Sequence, residues 1–238
     1  AAAAGHDLVE RIIKATREEV PVPVYDVPDQ DDSLPKRSAI LPIFDQQYGQ
    51  KVRREDTPGG VGFFDSDVFD VRLARWFDAV VNSLRDYAAS HCLTELVIAL
   101  GGDHVEGAYI FRGQAWQLER DPARQVVELT VKMADAIRRL VRFARGELGI
   151  PRVRIYAVPG NHGKVGGKKA GATPTTFSFD VLFQEWLRDK LAGEAIDEFV
   201  VEPGGALMFE SADHIFLLIH GDEVKGHMGI PFYGITRF

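Results

Sequence analysis

The sequence predicts an α/β fold in which strands and helices first alternate and strands then follow one another directly. Between residues 38 and 193, an apolar run of strand length precedes an amphipathic stretch at helical spacing three times. Three further apolar runs follow within residues 198–220, with no helical stretch between them. Alternation followed by consecutive strands indicates a domain with a mixed sheet or with two stacked sheets.

The strands are predicted from short apolar runs. A continuous apolar run of this length is typical of a strand that is covered on both faces, and "ELVIAL" and "VRIYAV" have this form. The last three strands lie too close together for helices to connect them. The predicted strands are residues 38–44, 95–100, 153–158, 198–202, 206–210 and 214–220.

The helices are predicted from apolar spacing and from signals at their ends. In the first helix, apolar residues recur at helical spacing. The second has Asp121 as N-cap, Pro122 at its first position and Gly149 as its stop, and Gly193 closes the third. The predicted helices are residues 70–89, 121–149 and 178–193.

The first 36 residues are predicted to precede the main domain. Residues 7–20 have the apolar spacing of a short amphipathic helix. Residues 21–35 are rich in proline and aspartate, which favours an extended linker over a packed element. We therefore expect an N-terminal segment at residues 1–36 and one domain at residues 37–238.

Composition limits the class of protein. Of the 238 residues, 45% are hydrophobic and 26% charged, as in ordinary soluble domains, and no apolar stretch is long enough to span a bilayer. Cys92 is the one cysteine, which fits a reducing, cytoplasmic compartment. The net charge of -7 argues against a broad basic surface for nucleic acid, but it allows an enzyme that meets nucleic acid through metal ions. The oligomeric state stays open, and a homodimer is one of the states allowed.

Four predicted strands end in a carboxylate, an amide or an imidazole next to glycine. Ligand sites of open α/β sheets form at the carboxyl ends of the strands, so we expect these side chains to share one site. Aspartate, asparagine and histidine together suit divalent cations such as Mn²⁺, Mg²⁺, Fe²⁺ or Zn²⁺. Two such cations can clamp both oxygens of a displacement at phosphorus. In chain order the residues are Asp45 with Gln47, Asp103, Asn161 with His162, and His220.

Three of these segments resemble, in order and position, the motifs of the calcineurin-like metallophosphoesterase superfamily. They are "GGDHVEG", "PGNHG" and "HGD", and the similarity runs from residue 40 to residue 222. The resemblance implies a layered α/β/β/α sandwich with two mixed sheets. Within the superfamily, the chain looks most like phage and bacterial proteins related to DNA-repair exonucleases. That implies a phosphodiester of DNA as substrate and the cytoplasm of a bacterial or phage-infected cell as location.

The resemblance also implies a two-metal site, with manganese favoured over magnesium, iron or zinc. The implied reaction is hydrolysis of a phosphoester by a metal-activated hydroxide. Its catalytic residues would be Asp103, which bridges both ions, and His162, which assists the leaving group. The implied ligands are Asp45 and Gln47 on the first ion, Asp103 on both, and Asn161 and His220 on the second.

The sequence departs from the family pattern at two points. Gln47 stands where the family has a histidine, and an amide oxygen favours harder ions. Of the last family motif, Gly-His-x-His, only the first half is found, as "GHMG" at residues 226–229. We therefore expect the chain to end before the last metal-ligand motif.

Two alternatives to a DNA hydrolase stay open. The negative net charge favours a small phosphoester, such as a nucleotide or a cyclic nucleotide, as substrate. Gln47 and the incomplete last motif favour a binding or assembly module that keeps the fold but holds little metal. Beside the motifs, His104 and Glu106 fit a solvated loop as well as a cleft. Trp116 is expected to pack on the following helix rather than offer a base-stacking surface.

Overall fold

The computed structural model describes residues 24–25, 28–166, 177–222 and 224. The predicted helix at 7–20 and the segment 226–229 lie outside the described residues. The strands are Lys36–Ile43 (β1), Cys92–Leu100 (β2), Val153–Ala157 (β3), Glu198–Val201 (β4), Ala206–Ser211 (β5) and His214–Ile219 (β6). The helices are Ser66–Ala88 (α1), Pro122–Gly146 (α2) and Phe179–Lys190 (α3), and short 3₁₀ turns lie at Arg54–Asp56, Pro58–Gly60 and Gln114–Gln117.

Every strand and helix predicted between residues 38 and 220 is present, and the ends differ by a few residues. Helix α1 begins earlier than predicted because the Asp65 side chain caps it, accepting a 3.0 Å hydrogen bond from the Val68 N–H. Helix α2 begins as predicted, with Asp121 accepting from the Arg124 N–H and Pro122 in the first position. No helix in the described ranges combines the length and apolar character needed to cross a membrane.

The main sheet contains β1 to β4, all parallel and in chain order. A helix connects each strand to the next. Since such crossovers are right-handed, the three helices lie on the same face of the sheet. The residues facing them include Leu96, Ile98 and Ile155, all fully buried in the larger hydrophobic core. Pro42 is accommodated in β1 because that strand lies at the edge of the described sheet.

The strands β5 and β6 form a separate antiparallel hairpin on the other face of the main sheet. Alternate residues of the main sheet, Val97 and Tyr156 among them, pack with Phe209 and Leu218 of the hairpin in a second core. The prediction of an α/β fold with two sheets is thus confirmed. A four-layered sandwich stays a prediction, because no described helix covers the outer face of the hairpin.

A buried polar cluster links the hairpin to the main sheet. Arg154 Nε of β3 lies 2.6 Å from Glu95 Oε1 of β2, with both side chains less than a tenth exposed. Ser211 of β5 donates to Glu95 Oε2 at 2.6 Å, and Arg154 donates to the Glu210 carbonyl. The two sheets are therefore joined by hydrogen bonds from the hairpin to both members of this ion pair, as well as by apolar packing.

Residues of the predicted linker that the structure describes lie against the domain. Gln30 Nε2 donates to the carbonyl oxygens of Leu93 and Gly149, both at 2.8 Å. These contacts fix the approach of the chain to β1. The position of the domain boundary near residue 36 stays a prediction.

Candidate metal centre

The loops that leave β1 and β2 run side by side at the carboxyl edge of the sheet. The Asp45 N–H donates to the Gly102 carbonyl at 3.1 Å, and the Gln47 N–H donates to the Asp103 carbonyl at 2.9 Å. Three non-glycine residues here have positive φ angles, at 51° for Asp45, 44° for Gln47 and 52° for Asp103. Such conformations are uncommon for these residue types and cluster at functional sites.

Asp45, Asp103 and His220 form a group that could hold a metal ion. One ligand atom of each lies within 4.8 Å of the others. Asp103 is buried and Asp45 is exposed, so the group opens to solvent on the β1 side. Two carboxylate oxygens and one imidazole nitrogen are a donor set for hard or borderline divalent cations, as expected from the sequence.

His220 directs one ring nitrogen, Nε2, at this group. Its Nδ1 lies 2.9 Å from the Gly101 carbonyl, which can only accept, so Nδ1 carries a hydrogen. Its Nε2 lies 3.1 Å from Asp103 Oδ2 and 3.2 Å from Asn161 Oδ1. A backbone carbonyl on one nitrogen with acceptors around the other is the usual environment of a metal-binding histidine. Asn161 thereby joins the group.

The metal-free centre holds a strong charge pair. Burial disfavours the charged His220 ring, but the hydrogen bond to Asp103, the charge of that carboxylate and the Gly101 carbonyl together outweigh burial and raise the pKa of His220 to about 9. Burial likewise disfavours the Asp103 carboxylate, yet hydrogen bonds from His220 and from the His162 N–H lower the pKa of Asp103. Without a cation, a protonated imidazole therefore neutralises the central carboxylate.

We expect the stability of the chelator-treated protein to fall as pH rises. The folded-state pKa of His220 lies above its ordinary value of 6.5, so the pair contributes fully below that pH and is lost as pH rises through about 9. Urea unfolding in excess EDTA, at several values between pH 6.5 and about pH 9, measures the slope of the free energy of unfolding against pH. His220→Asn is the control, since it removes this group alone. Equal slopes for wild type and variant would contradict the assignment.

His162 lies beside the group, and Glu106 contacts the side of its ring that faces away from Asp103. Its Nδ1 is 3.0 Å from Glu106 Oε2, and Glu106 Oε1 accepts from Gln114 Nε2 at 2.8 Å. The opposite nitrogen, Nε2, is 3.8 Å from Asp103 Oδ2. Burial lowers the pKa of His162, but the hydrogen bond to Glu106 and the negative charges of Asp103 and Glu106 together outweigh burial, so the pKa is raised overall. The ring can therefore carry a proton on the side that faces the candidate centre.

Burial decides the roles of the two residues that the sequence left open. Glu106 is buried and holds His162, so the solvated-loop alternative is wrong for it. His104 is fully buried, and burial lowers its pKa, so its ring is neutral. Its Nδ1 contacts Gln46 Oε1 at 2.9 Å while Nε2 accepts from the Gly102 N–H at 3.3 Å. His104 supports the loop from inside.

Asp180 is a residue of this region that the sequence analysis missed. It lies in the first turn of α3 and is fully buried. Its two carboxylate oxygens accept four backbone N–H groups at 2.7 to 3.2 Å. The donors are Asp103, His104, Val105 and Gly160. A carboxylate at a helix N-terminus thus fixes the loops after β2 and β3 relative to each other.

Two glycines are required by the close approach of these loops. A Cβ atom on Gly160 would overlap the Asp103 carboxylate, and one on Gly107 would overlap the His162 carbonyl oxygen. Gly107 also has a φ of 69°, which other residues adopt only with strain. The glycines of the motifs therefore allow the backbone to bring Asp103 and His162 together.

Gln47 and the pair of Lys164 with Asp222 lie next to the candidate centre. The side chain of Gln47 lines, with Asp45 and Arg72, a cavity of 430 Å³ next to the candidate centre. Lys164 Nζ pairs with Asp222 Oδ2 at 2.9 Å, beside His220.

Comparisons with protein-family models, curated proteins and solved structures found no match to this chain. Geometry and residue chemistry therefore carry the functional argument.

Proposed function

We propose that the protein hydrolyses phosphoester bonds with the help of divalent metal ions. The substrate that we propose first is a phosphodiester of DNA. The observation that carries this proposal is the convergence of Asp45, Asp103 and His220 at the carboxyl edge of the sheet, with His162 beside them. Metal-ligand and proton-donor groups in one cleft are what displacement at phosphorus requires.

The residues present fit divalent cations. Asp103 directs Oδ2 at His220, while its Oδ1 is occupied by the His162 N–H at 2.7 Å. In the proposal, Asp45 and Gln47 would hold one ion, Asn161 and His220 would hold the other, and Asp103 would contribute to both. Manganese suits this mixture of oxygen and nitrogen donors. Bound cations would supply a nucleophile at neutral pH and neutralise charge on the phosphoryl group.

The remaining steps belong to side chains of the protein. His162 holds a proton on Nε2 and donates it to the oxygen that leaves from phosphorus. Glu106 keeps the ring in this orientation through the 3.0 Å contact at Nδ1. The exposed position of Asp45 leaves the β1 side of the cleft open to water and substrate. Asp180 keeps the two loops in register by accepting their N–H groups.

The proposal predicts Mn²⁺-dependent hydrolysis of bis(p-nitrophenyl) phosphate and of single-stranded DNA by the full chain. Asp103→Asn and His162→Ala should each lower kcat/KM by at least about a hundredfold, as expected for loss of a metal bridge or of a general acid. His91→Ala is the matched control, since His91 is half-buried and directly precedes β2, at the opposite edge of the sheet. Wild-type rates in the Asp103 variant would show that the site is wrongly assigned.

Two further measurements separate the alternatives. A higher rate on p-nitrophenyl phosphate than on the diester would favour a small monoester substrate, in line with the net charge of -7. Elemental analysis after incubation with Mn²⁺ addresses the binding-module alternative. A metal content near zero, together with no hydrolysis, would replace the enzyme proposal with that alternative.

A further inference from the structure

Exposed aromatic side chains cluster on the loop that follows β2. Trp116 is 88% exposed, Tyr109 52% and Phe111 48%. The expectation that Trp116 packs on the following helix is therefore wrong. A single exposed aromatic side chain is common, whereas several close together form an apolar patch of the kind that marks a binding surface. Three of them within eight residues indicate a surface that a ligand covers.

The loop is rigidly connected to His162. The Phe111 ring meets the His162 ring edge to face, with centroids 5.2 Å apart. Gln114, at the start of the 3₁₀ turn that carries Trp116, is buried. Its Oε1 accepts from the Ile110 N–H at 2.8 Å, and its Nε2 donates to Glu106. One buried amide thus positions both the aromatic loop and the glutamate that orients His162.

We propose that this aromatic loop stacks the unpaired nucleobase of the nucleoside whose sugar carries the leaving oxygen of the substrate. The inference rests on the proposed function and adds the chemical class of the leaving group. His162 donates its proton to the leaving oxygen, so the group on that oxygen extends past His162. Phe111 is packed on the His162 ring at that point. A flat group with an apolar face fits this surface better than a sugar or an alkyl chain.

The charge of the protein favours stacking over a basic groove. With a net charge of -7, the chain offers no broad attraction for a phosphate backbone. Stacking on aromatic rings needs no such charge and works with every base. It does need the face of the base to be accessible, and in a duplex both faces are covered. The surface therefore favours a single strand or a free nucleotide over paired DNA.

The test compares a thymidine hexanucleotide with an oligomer that has the same phosphates but abasic sites in place of thymine. We expect wild-type kcat/KM to be roughly five- to 150-fold higher on the thymidine oligomer, the range of base–aromatic stacking. Trp116→Ala and Phe111→Leu should bring this ratio close to one. Phe111→Leu keeps apolar contact with His162 while removing the ring. Tyr87→Ala, an exposed aromatic at the opposite edge of the sheet, should keep the wild-type ratio.

A binding measurement separates this inference from the proposed function. In EDTA, fluorescence anisotropy of the two labelled oligomers reports stacking without hydrolysis. A preference for thymidine that Trp116→Ala abolishes would support the inference even if no hydrolysis occurred. Hydrolysis of both oligomers at equal rates, with equal binding, would overturn the inference and leave the function standing. Competition by thymidine monophosphate as strong as by the hexanucleotide would identify a nucleotide site; weaker competition would identify a strand site.

Discussion

Asp180→Ala is expected to lower the free energy of unfolding by about 4 kcal/mol or more and to weaken Mn²⁺ binding. The substitution removes the acceptor for four backbone N–H groups. Each buried donor left without a partner costs about 1–3 kcal/mol, less where water can enter. The loop that carries Asp103 would then lose its fixed position relative to Gly160. Urea unfolding and Mn²⁺ titration by calorimetry measure the two effects.

Two variants test whether the carboxylate is responsible. Asp189→Ala changes an exposed aspartate on the same helix, and we expect it to alter stability little. Asp180→Asn keeps one acceptor oxygen but directs an NH₂ group at backbone donors. Its loss of stability should therefore lie between those of Asp189→Ala and Asp180→Ala. If Asp180→Ala were as stable as Asp189→Ala, the loops would not depend on this carboxylate.

The second large effect is expected at the ion pair of the main sheet that also hydrogen-bonds to the hairpin. Glu95→Met leaves the buried Arg154 guanidinium without its 2.6 Å carboxylate partner. Uncompensated buried charges of this kind cost about 3–5 kcal/mol. The Glu198 carboxylate, 3.8 Å from Arg154 and partly exposed, is too solvated to replace Glu95. Urea unfolding again measures the loss.

A double variant distinguishes the charge from the loss of packing. Adding Arg154→Met to Glu95→Met removes the unpaired charge, so much of the lost stability should return. Glu210→Gln is the matched single control, because the Glu210 residue is exposed and its carbonyl contact with Arg154 is kept. A double variant less stable than Glu95→Met would show that the arginine stabilises the sheets without its partner.

The sequence was sufficient for the elements of the fold because their signals are local. Apolar spacing and the caps at Asp121 and Pro122 depend on neighbouring residues, and these elements are present. The attachment of the hairpin was harder to predict. Whether β5 and β6 would join the main sheet or stack on it depends on side chains such as Tyr156 and Phe209, which meet only in the folded state.

The residues of the candidate site also differ in whether a local sequence signal could predict them. Asp103 and His220 could be found because each follows an apolar strand, and strand ends converge. Asp180 could not, since its contact with Asp103 joins residues 77 apart and its own local signal is that of an ordinary helix start. The burial of Glu106 and the exposure of Trp116 determined how these two residues are interpreted. The periodicity of the sequence predicts neither burial nor exposure for residues in loops.

The separation of the two sheets would make the affinity of the candidate centre for a metal ion depend on distant packing. Asp45 and Asp103 follow strands of the main sheet, whereas His220 follows the hairpin, which is attached through side chains rather than strand pairing. An ion bound by all three would require the hairpin to be docked. Its apparent affinity therefore equals the intrinsic affinity multiplied by the docked fraction. The stacked rings of Tyr156, Phe209 and Phe216 would thus tune metal occupancy without touching the metal.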